Sequence, residues 1–428
     1  MKFCFATLGC KVNQFETQAL AQLAQQRGHV LAEQDADICI INTCTVTSSG
    51  DKKTLQMIRH MRRDNPHAII ALCGCFSQTE PERAAAIEGV DIVCGTTDRA
   101  AILQLCEQAV QNDSHICTVT PVRDCRTFEE LPAGRLPGHT RALLKVQDGC
   151  DNYCTYCIIP YARGHIRSLP MQQAIEQARQ LASEHIQEIM LTGIEIASYG
   201  RDLPEKPTLT QLIAALCQSV PSVRIRLGSL EPRIVTQEFC DTLQQFDNLA
   251  LHFHLSLQSG CDATLKRMHR RYTTEQYFAC VQRLRQAFPS CSITTDVITG
   301  FPGETEEEFA QTQTFLQKCA FAAVHVFPYS ERAGTPAATM PNAIPQSIRA
   351  QRADILRKQA AAMTHSFLQG FLGQTISVIA EHGHDSYQPA HSKWHFVVQL
   401  PPDSAPQGTT LSVRIIQQEQ NILRGIPV

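Results

Sequence analysis

The chain has 428 residues, of which 43% are apolar and 18% are charged, and this length favours two to four globular domains. Its formal charge of -3 at neutral pH excludes a globally basic surface, so a nucleic acid would have to bind at local basic patches. The apolar run at residues 3–8 ends at Gly9, well short of a signal or membrane-spanning segment, so we expect a cytoplasmic protein.

Three of the nineteen cysteines stand close together, Cys150, Cys154 and Cys157 in the spacing C-x3-C-x2-C. Cysteine runs of this kind hold 4Fe-4S clusters, and three thiolates on four irons leave one iron open for chemistry. Zinc is the main alternative, but a structural zinc site takes four protein ligands and no fourth cysteine or histidine directly follows Cys157. A disulfide is the remaining alternative, and the absence of an export signal disfavours it.

The first third of the chain alternates buried-type strands with helices. Asn13 and Glu16 have the spacing of a capping box, so we expect a helix with Asn13 as its N-cap that ends near Gly28. Ser48 or Ser49 can cap a second helix. Strands are predicted at residues 2–7, 38–41 and 68–72, and helices at 13–28, 48–65 and from about 80. The alternation predicts a doubly wound parallel sheet over residues 1–120.

Three more cysteines follow the predicted strands of this domain, Cys10, Cys44 and Cys75. The carboxyl ends of parallel strands meet at one edge of a sheet, where ligands bind. The placement predicts a second cluster with one open iron, although three unrelated small buried residues would give the same pattern. Cys73 and Cys94 lie close to the same edge and could substitute as ligands.

Residues 121–140 are rich in proline and glycine and are predicted to be an interdomain linker. From residue 141 to residue 368, six strand candidates alternate with helices, which predicts an incomplete (β/α) barrel with its active face at the carboxyl ends of the strands. The six candidates are residues 141–146, 188–192, 223–228, 251–257, 293–298 and 323–327. Residues 369–428 shift to short strands at 375–380, 395–399 and 410–416, which predicts a small β-barrel.

A C-x3-C-x2-C motif after the first strand of such a barrel resembles the radical S-adenosylmethionine (SAM) superfamily. With the N-terminal three-cysteine domain and the C-terminal barrel, the whole chain resembles the methylthiotransferases, the last domain being TRAM-like. Residues 7–13 (TLGCKVN), 42–47 (NTCTVT) and 154–164 (CTYCIIPYARG) are most similar to the threonylcarbamoyladenosine tRNA methylthiotransferase branch. That branch methylthiolates carbon 2 of the modified adenosine at position 37, beside the anticodon of tRNA.

The resemblance implies two 4Fe-4S clusters, one on Cys150, Cys154 and Cys157 and one on the three N-terminal cysteines. It implies that SAM binds the open iron of the first cluster and yields a radical, while the second cluster carries the sulfur. Cofactors then supply the hard step at an unreactive C–H bond, and the protein positions them. By position, the resemblance places SAM contacts at Tyr156, Gly193, Ile194, Ser256 and Gln258.

The resemblance also implies tRNA as a partner, bound through its anticodon stem-loop, and an electron donor such as a flavodoxin or ferredoxin. No membrane and no stable protein partner are expected. The family's C-terminal domain is an RNA-binding module, but residues 370–428 here are slightly acidic, with three basic and four acidic residues. We therefore expect RNA contacts at another basic run, formed by Lys266, Arg267, Arg270 and Arg271, with residues 52–63 as a further patch.

Two related activities are the nearest alternatives, methylthiolation of isopentenyladenosine in tRNA and of a ribosomal protein side chain. Residues 11–13 and 45–47 favour the threonylcarbamoyladenosine branch over both. A non-catalytic iron-sulfur RNA-binding sensor is the alternative from another class. The motifs expected at the barrel mouth, such as residues 192–195 (TGIE) and 299–304 (TGFPGE), disfavour a sensor because it needs no SAM pocket.

Overall fold

The computed structural model of the chain describes residues 1–45, 48–112, 115–133 and 140–428. The N-terminal domain is a parallel six-stranded sheet in the order β2-β1-β3-β4-β5-β6. Its strands are β1 Lys2–Thr7, β2 Val30–Leu31, β3 Ile38–Thr43, β4 Ile69–Gly74, β5 Ile92–Cys94 and β6 Ile116–Thr118. Its helices are α1 Lys11–Gln26, α2 Ser48–Asp64, α3 Cys75–Thr79, α4 Pro81–Ala85 and α5 Arg99–Asn112. The predicted doubly wound parallel sheet is confirmed.

The start of α1 differs from the prediction. Cys10 occupies the N-cap position, and Asn13 lies inside the first turn. The Asn13 amide nitrogen donates to the carbonyls of Leu8 at 3.0 Å and Thr43 at 2.9 Å, so it joins the loops after β1 and β3. The capping-box pattern was misleading because asparagine is typical both of helix caps and of side chains that bond the backbone of neighbouring loops. Residue type alone does not distinguish the two. The predicted caps of α2, Ser48 and Ser49, have side chains outside the described atoms.

The middle of the chain forms the predicted incomplete barrel, whose six principal strands lie in two parallel sheets, β11-β10-β7 and β12-β13-β14-β15. The strands are β7 Arg141–Lys145, β8 Gln147–Asp148, β9 Arg167–Ser168, β10 Glu188–Thr192, β11 Arg224–Leu227, β12 Ser229–Leu230, β13 His252–Leu255, β14 Ser292–Thr299 and β15 Ala323–Pro328. The helices are α6 Ile159–Arg163, α7 Met171–Ser183, α8 Leu209–Ser219, α9 Gln237–Leu243, α10 Asp262–Arg267, α11 Thr274–Ala287, α12 Glu306–Cys319 and α13 Gln346–Gln369. One large apolar core lies between strands and helices.

The predicted linker is partly packed. Leu131 and Ala133 are buried in the core of the partial barrel, and Glu129 accepts a hydrogen bond from the Arg99 guanidinium. The apolar residues of this stretch therefore attach the N-terminal domain to the barrel, while residues 134–139 lie outside the described part of the chain.

The last five strands close into a small barrel in the order β16-β17-β18-β20-β19, as predicted. They are β16 Thr375–Ala380, β17 Gln388–Ser392, β18 Val397–Leu400, β19 Thr410–Glu419 and β20 Ile422–Pro427. The turn after β17 covers the amino ends of the partial barrel's strands. There the Ser392 carbonyl accepts from Arg226 at 2.9 Å, and the Trp394 carbonyl accepts from the Ser292 hydroxyl at 2.7 Å. The opposite end, which carries the cysteines, stays uncovered by the small barrel.

A buried cluster of charges joins the N-terminal domain to the partial barrel. The Glu16 carboxylate is fully buried and binds the side chains of Arg99 at 2.8 Å, Lys145 at 2.9 Å and Arg163. Burial alone would raise the pKa of Glu16, but the charges of Arg163, Arg99 and Lys145 hold that pKa well below its ordinary value. Asp148 adds a second carboxylate, 2.6 Å from Lys145. Two domains therefore share one set of compensated charges.

We predict that Glu16→Ala lowers the free energy of unfolding by about 3–5 kcal/mol, because three buried cations lose a shared counter-charge. The change would be measured as a lower apparent melting temperature of the anaerobic protein. Glu107→Ala is the control, since Glu107 pairs with Arg27 at 3.2 Å near the surface and its removal should cost at most about 1 kcal/mol. Equal destabilisation by the two variants would contradict the role given to Glu16.

Candidate active site with two facing sets of cysteines

The N-terminal cysteines lie at the carboxyl ends of three adjacent strands. Cys10 follows β1, Cys44 follows β3, and Cys75 begins α3 directly after β4. The loops approach so closely that a Cβ on Gly9 would lie 2.8 Å from the Cys44 Cβ. Gly9 also has φ +114°, a conformation that side chains disfavour, so glycine is required at this position. The fold therefore brings together the three cysteines predicted from their strand ends.

Cys75 is the buried member of this set and connects it to the barrel. Its sulfur accepts a hydrogen bond from the Arg163 Nε at 3.3 Å. Burial raises the pKa of Cys75 to about 11, the Arg163 charge opposes that rise, and thiolates at Cys10 and Cys44 add to it. An unpaired thiolate is thus unfavourable at Cys75, and a cationic partner is needed there.

The barrel cysteines lie on the loop between β8 and α6. A Cβ on Gly149 would lie 1.9 Å from the His165 carbonyl oxygen, so the backbone entering the loop is tightly packed. The Cys157 amide donates to the Cys154 carbonyl at 2.9 Å, which forms a tight turn between the second and third cysteines. The Cys154 sulfur accepts from the Arg270 Nη1 at 3.3 Å. Each set of cysteines therefore has one guanidinium that donates to one sulfur.

The two sets face each other across the domain junction. Burial raises the pKa of Cys157 to about 12, and among the charges that act on it are those of Cys154 in its own loop and Cys75 in the other domain. Arg163, which ends α6 just after Cys157, reaches across to Cys75. The sulfurs of the two sets are consequently close enough to serve one reaction centre.

The donor atoms fit iron-sulfur clusters. All nineteen cysteines lie in the described part of the chain and all are thiols rather than disulfides. Burial disfavours a bare thiolate at Cys75 in one set and at Cys150 and Cys157 in the other, and bound iron would supply the missing positive charge. Cys73 and Cys94, the possible substitutes, are instead buried in the apolar core of the N-terminal sheet beside Ile92 and Leu103.

The residues expected to contact SAM lie around the same mouth. The Tyr156 ring packs edge-on against Phe301, with centroids 6.5 Å apart. Gly193 has no space for a side chain, because a Cβ there would lie 2.8 Å from the Gln147 carbonyl oxygen. Its neighbour Ile194 is half-buried. Their roles toward SAM stay predictions.

The other two predicted SAM contacts follow β13. The Ser256 carbonyl accepts from the Arg270 guanidinium at 3.2 Å and from the Tyr272 hydroxyl. Gln258 has φ +72° and bridges to β14, where its amide donates to the Asp296 carbonyl at 2.8 Å. A non-glycine residue held in this conformation by neighbouring strands is typical of functional sites.

One acidic residue at the mouth was not assigned from the sequence. The Glu195 carboxylate accepts from the Asn152 amide at 2.7 Å, and Asn152 lies within the cysteine loop. Burial raises the pKa of Glu195, and the nearby Glu231 adds to the rise. The signal was available in residues 192–195, since a carboxylate directly after a barrel strand is a candidate binding group.

The basic run predicted to bind RNA divides into two parts. Arg270 points inward to Cys154, whereas Arg267 pairs with Glu308 and its side chain stays 31% exposed. The run therefore does not share one face, because the helix α10 ends between Arg267 and Arg270. The role of these two residues toward RNA stays a prediction. Lys266 and Arg271 are exposed, and their contact with RNA stays a prediction.

Comparison with known proteins defines the class. The Radical SAM superfamily matches residues 144–316, and a family described as Uncharacterized protein family UPF0004 matches residues 2–95. In fold, the chain resembles the radical SAM methyltransferase TsrM from Kitasatospora setae, with a TM-score of 0.59 over 79% of this chain and 74% of that one, at 14% identity. The protein is thus a radical SAM enzyme with a parallel-sheet domain in front of the barrel.

Curated relatives give the particular family. The threonylcarbamoyladenosine tRNA methylthiotransferase MtaB of Bacillus subtilis is 41% identical over 88% of this chain and 84% of its own length. The corresponding protein of Aquifex aeolicus is 35% identical over 89% and 92%. A tRNA-2-methylthio-N(6)-dimethylallyladenosine synthase of Acetivibrio thermocellus is 31% identical over 96% and 88%. The chain belongs to the threonylcarbamoyladenosine tRNA methylthiotransferase family.

This membership confirms the expected enzyme class and cofactors, a transferase that uses SAM and iron-sulfur clusters. Within the described residues, none of the helices has the length and apolar character needed to cross a membrane.

We predict about eight irons per chain after anaerobic reconstitution, four for each cluster. Replacing Cys150, Cys154 and Cys157 together with alanine should leave about half of that iron, because the N-terminal cysteines are in another domain. Iron and sulfide analysis checks the count. Replacing Cys217, Cys240 and Cys291, which are buried away from the mouth, is the control. Full iron content in the first variant would refute the assignment of those ligands.

Proposed function

We propose that this protein replaces the hydrogen on carbon 2 of threonylcarbamoyladenosine, at position 37 beside the anticodon of tRNA, with a methylthio group. The observation that carries the proposal is the proximity of two three-cysteine sets from two domains. A sulfur delivered by one domain and a radical generated in the other must meet at one carbon atom. Arg163, which ends the helix after the barrel cysteines, donates to the Cys75 sulfur of the other set at 3.3 Å and so supports such a meeting point. The relatives named for this nucleoside support the choice of substrate.

We assign Cys10, Cys44 and Cys75 to the cluster that supplies sulfur, and the three barrel cysteines to the cluster that binds SAM. When bound, these groups supply the radical, the sulfur and the methyl group, which no side chain can provide. The protein holds the two sites at a fixed separation through Arg163, whose guanidinium contacts Cys75 and Glu16 at once. It also surrounds the SAM side with partly buried groups such as Tyr156, which packs against the buried Phe301 and limits the access of water.

The remaining parts of the proposal concern partners. Reduction of the barrel cluster requires one electron at low potential, which a flavodoxin or ferredoxin would supply. We infer a cytoplasmic enzyme, because its tRNA substrate is found there. The exposed Lys266 and Arg271 come after β13 and Ser256, so they lie near the active face and can bind phosphates of the anticodon stem.

Two synthetic anticodon stem-loops test the reaction, one with threonylcarbamoyladenosine and one with dimethylallyladenosine at the same position. We expect the reduced enzyme with SAM to give the 2-methylthio product from the first RNA only, together with 5'-deoxyadenosine, both measured by mass spectrometry of the digest. Cys44→Ala should abolish the product but retain some SAM cleavage, because Cys44 does not hold the barrel cluster. Conversion of the dimethylallyl RNA instead would reject the proposed substrate, and absence of SAM cleavage by the unmodified enzyme would reject an enzymatic function.

Salt dependence tests the RNA surface. Lys266→Ala with Arg271→Ala should weaken tRNA binding and reduce the slope of log affinity against log salt by up to about two, roughly one for each phosphate that the variant no longer neutralises. Arg27→Ala is the control, since Arg27 follows the far end of α1, about 24 Å from Cys10 for a helix of sixteen residues. An unchanged slope in the double variant would shift the RNA surface to the exposed residues Lys52, Lys53 and Arg59.

A further inference from the structure

The interior of the partial barrel contains polar side chains that the steps above do not use. Strands β13, β14 and β15 contribute His254, Asp296 and His325, whose nitrogen and oxygen atoms lie within 4.8 Å of one another. Their strand neighbours Leu255 and Val297 belong to the apolar core beneath the helices, so the three polar side chains face the opposite side, the barrel interior. Asp296 is also the residue whose carbonyl binds Gln258, so this cluster lies beside the SAM side of the mouth.

The three polar side chains differ in the hydrogen bonds that they form within the protein. His254 bonds the Thr294 hydroxyl at 2.9 Å through Nδ1 and the Asp296 carboxylate at 3.2 Å through Nε2. The charge of Asp296 therefore has a partner. His325 is exposed to the interior, its ring centroid lies 5.9 Å from that of His254, and it has no hydrogen bond to any described residue. His325 can thus donate to a ligand.

The N-terminal domain adds a cation to the same space. Lys11 begins α1, directly after Cys10, and its charge acts on His325 and His252 inside the barrel. Its side chain forms no hydrogen bond and no ion pair with the part of the chain that the structure describes.

The other cations of this region already have carboxylate partners. Arg226 binds Glu188 at 2.7 Å, and Arg141 binds Glu381 at 3.1 Å. Lys11 differs because no described carboxylate lies within ion-pair distance of its ammonium, although the more distant charge of Glu188 acts on it. Two histidines and an aspartate could hold a transition metal, but an ammonium nearby repels a second cation. The charges therefore favour an anionic ligand over a metal ion.

We propose that Lys11 and His325 form a binding site for the carboxylate of the substituent on N6 of the target adenosine. This inference rests on the proposed function, because the threonylcarbamoyl substituent carries a carboxylate whereas the dimethylallyl substituent is a hydrocarbon. The Lys11 ammonium donates a charge-assisted hydrogen bond to the carboxylate, and the His325 ring donates a second. A hydrocarbon in the same place would leave these donors without partners, which is how a polar site rejects an apolar analogue.

Three stem-loop RNAs with identical sequences test the proposal. They carry threonylcarbamoyladenosine, its methyl ester, or unmodified adenosine, and the ester removes the charge while it preserves almost the whole shape. Binding to the reconstituted enzyme is measured by fluorescence anisotropy. We expect the enzyme to bind the acid roughly tenfold or more tightly than the ester, as for a hydrogen bond to a charged group. Lys11→Gln and His325→Gln should each reduce that ratio toward one, and Lys11→Arg should restore much of it.

Lys266→Gln is the matched control, because it removes an exposed charge outside the barrel interior and should weaken all three RNAs equally. Iron content is measured for each variant, since Lys11 is next to Cys10. If the unmodified enzyme prefers the acid but both Lys11→Gln and His325→Gln preserve the ratio, the carboxylate site is elsewhere and the inference fails. If the enzyme binds all three RNAs equally, the proposed substrate is rejected, and this inference fails with it.

Discussion

A single buried carboxylate holds the two halves of the active site together. Glu16 belongs to the first helix of the N-terminal domain, yet its partners include Lys145 and Arg163 of the barrel. Removing such a charge from water is costly unless the cations surround it, so the domains cannot separate without leaving ions uncompensated. Arg163 is fixed by this contact, and its remaining nitrogen is thereby directed at Cys75. The charge cluster around Glu16 therefore sets the distance between the two cysteine sets.

On each side of the domain junction, one arginine donates a hydrogen bond to a cysteine sulfur. Arg163 donates to Cys75 of one set and Arg270 donates to Cys154 of the other, each at 3.3 Å. Hydrogen bonds and positive charge at ligating sulfurs stabilise the more negative state of a cluster and raise its reduction potential. The two guanidiniums differ in whether a carboxylate neutralises their charge. Arg163 is paired with the Glu16 carboxylate, whereas Arg270 bonds the Tyr272 hydroxyl and a carbonyl. Similar contacts can therefore tune the two clusters to different potentials.

The sequence predicted those features that depend on local pattern. Buried apolar runs defined the strands, and Cys10, Cys44 and Cys75 follow strands, so their meeting at one edge could be expected. The role of Glu16 could not, because its partners lie 83 to 147 residues away and its local context matches a helix cap. The short strands β5 and β6 lack enough residues for a periodic signal. The contact of Arg270 with Cys154 was not predicted for the same reason, since only the fold shows which way a charge points.

In the proposed reaction, the docked N-terminal domain also completes the site for the nucleoside. Cys10 is assigned to the cluster that supplies sulfur, and the charge of its neighbour Lys11 acts on the barrel interior. Chemistry and substrate selection are therefore attached to one short loop, whose position is set by the charge cluster around Glu16. A change at Lys11 can alter which substituent the site accepts without disturbing any barrel strand.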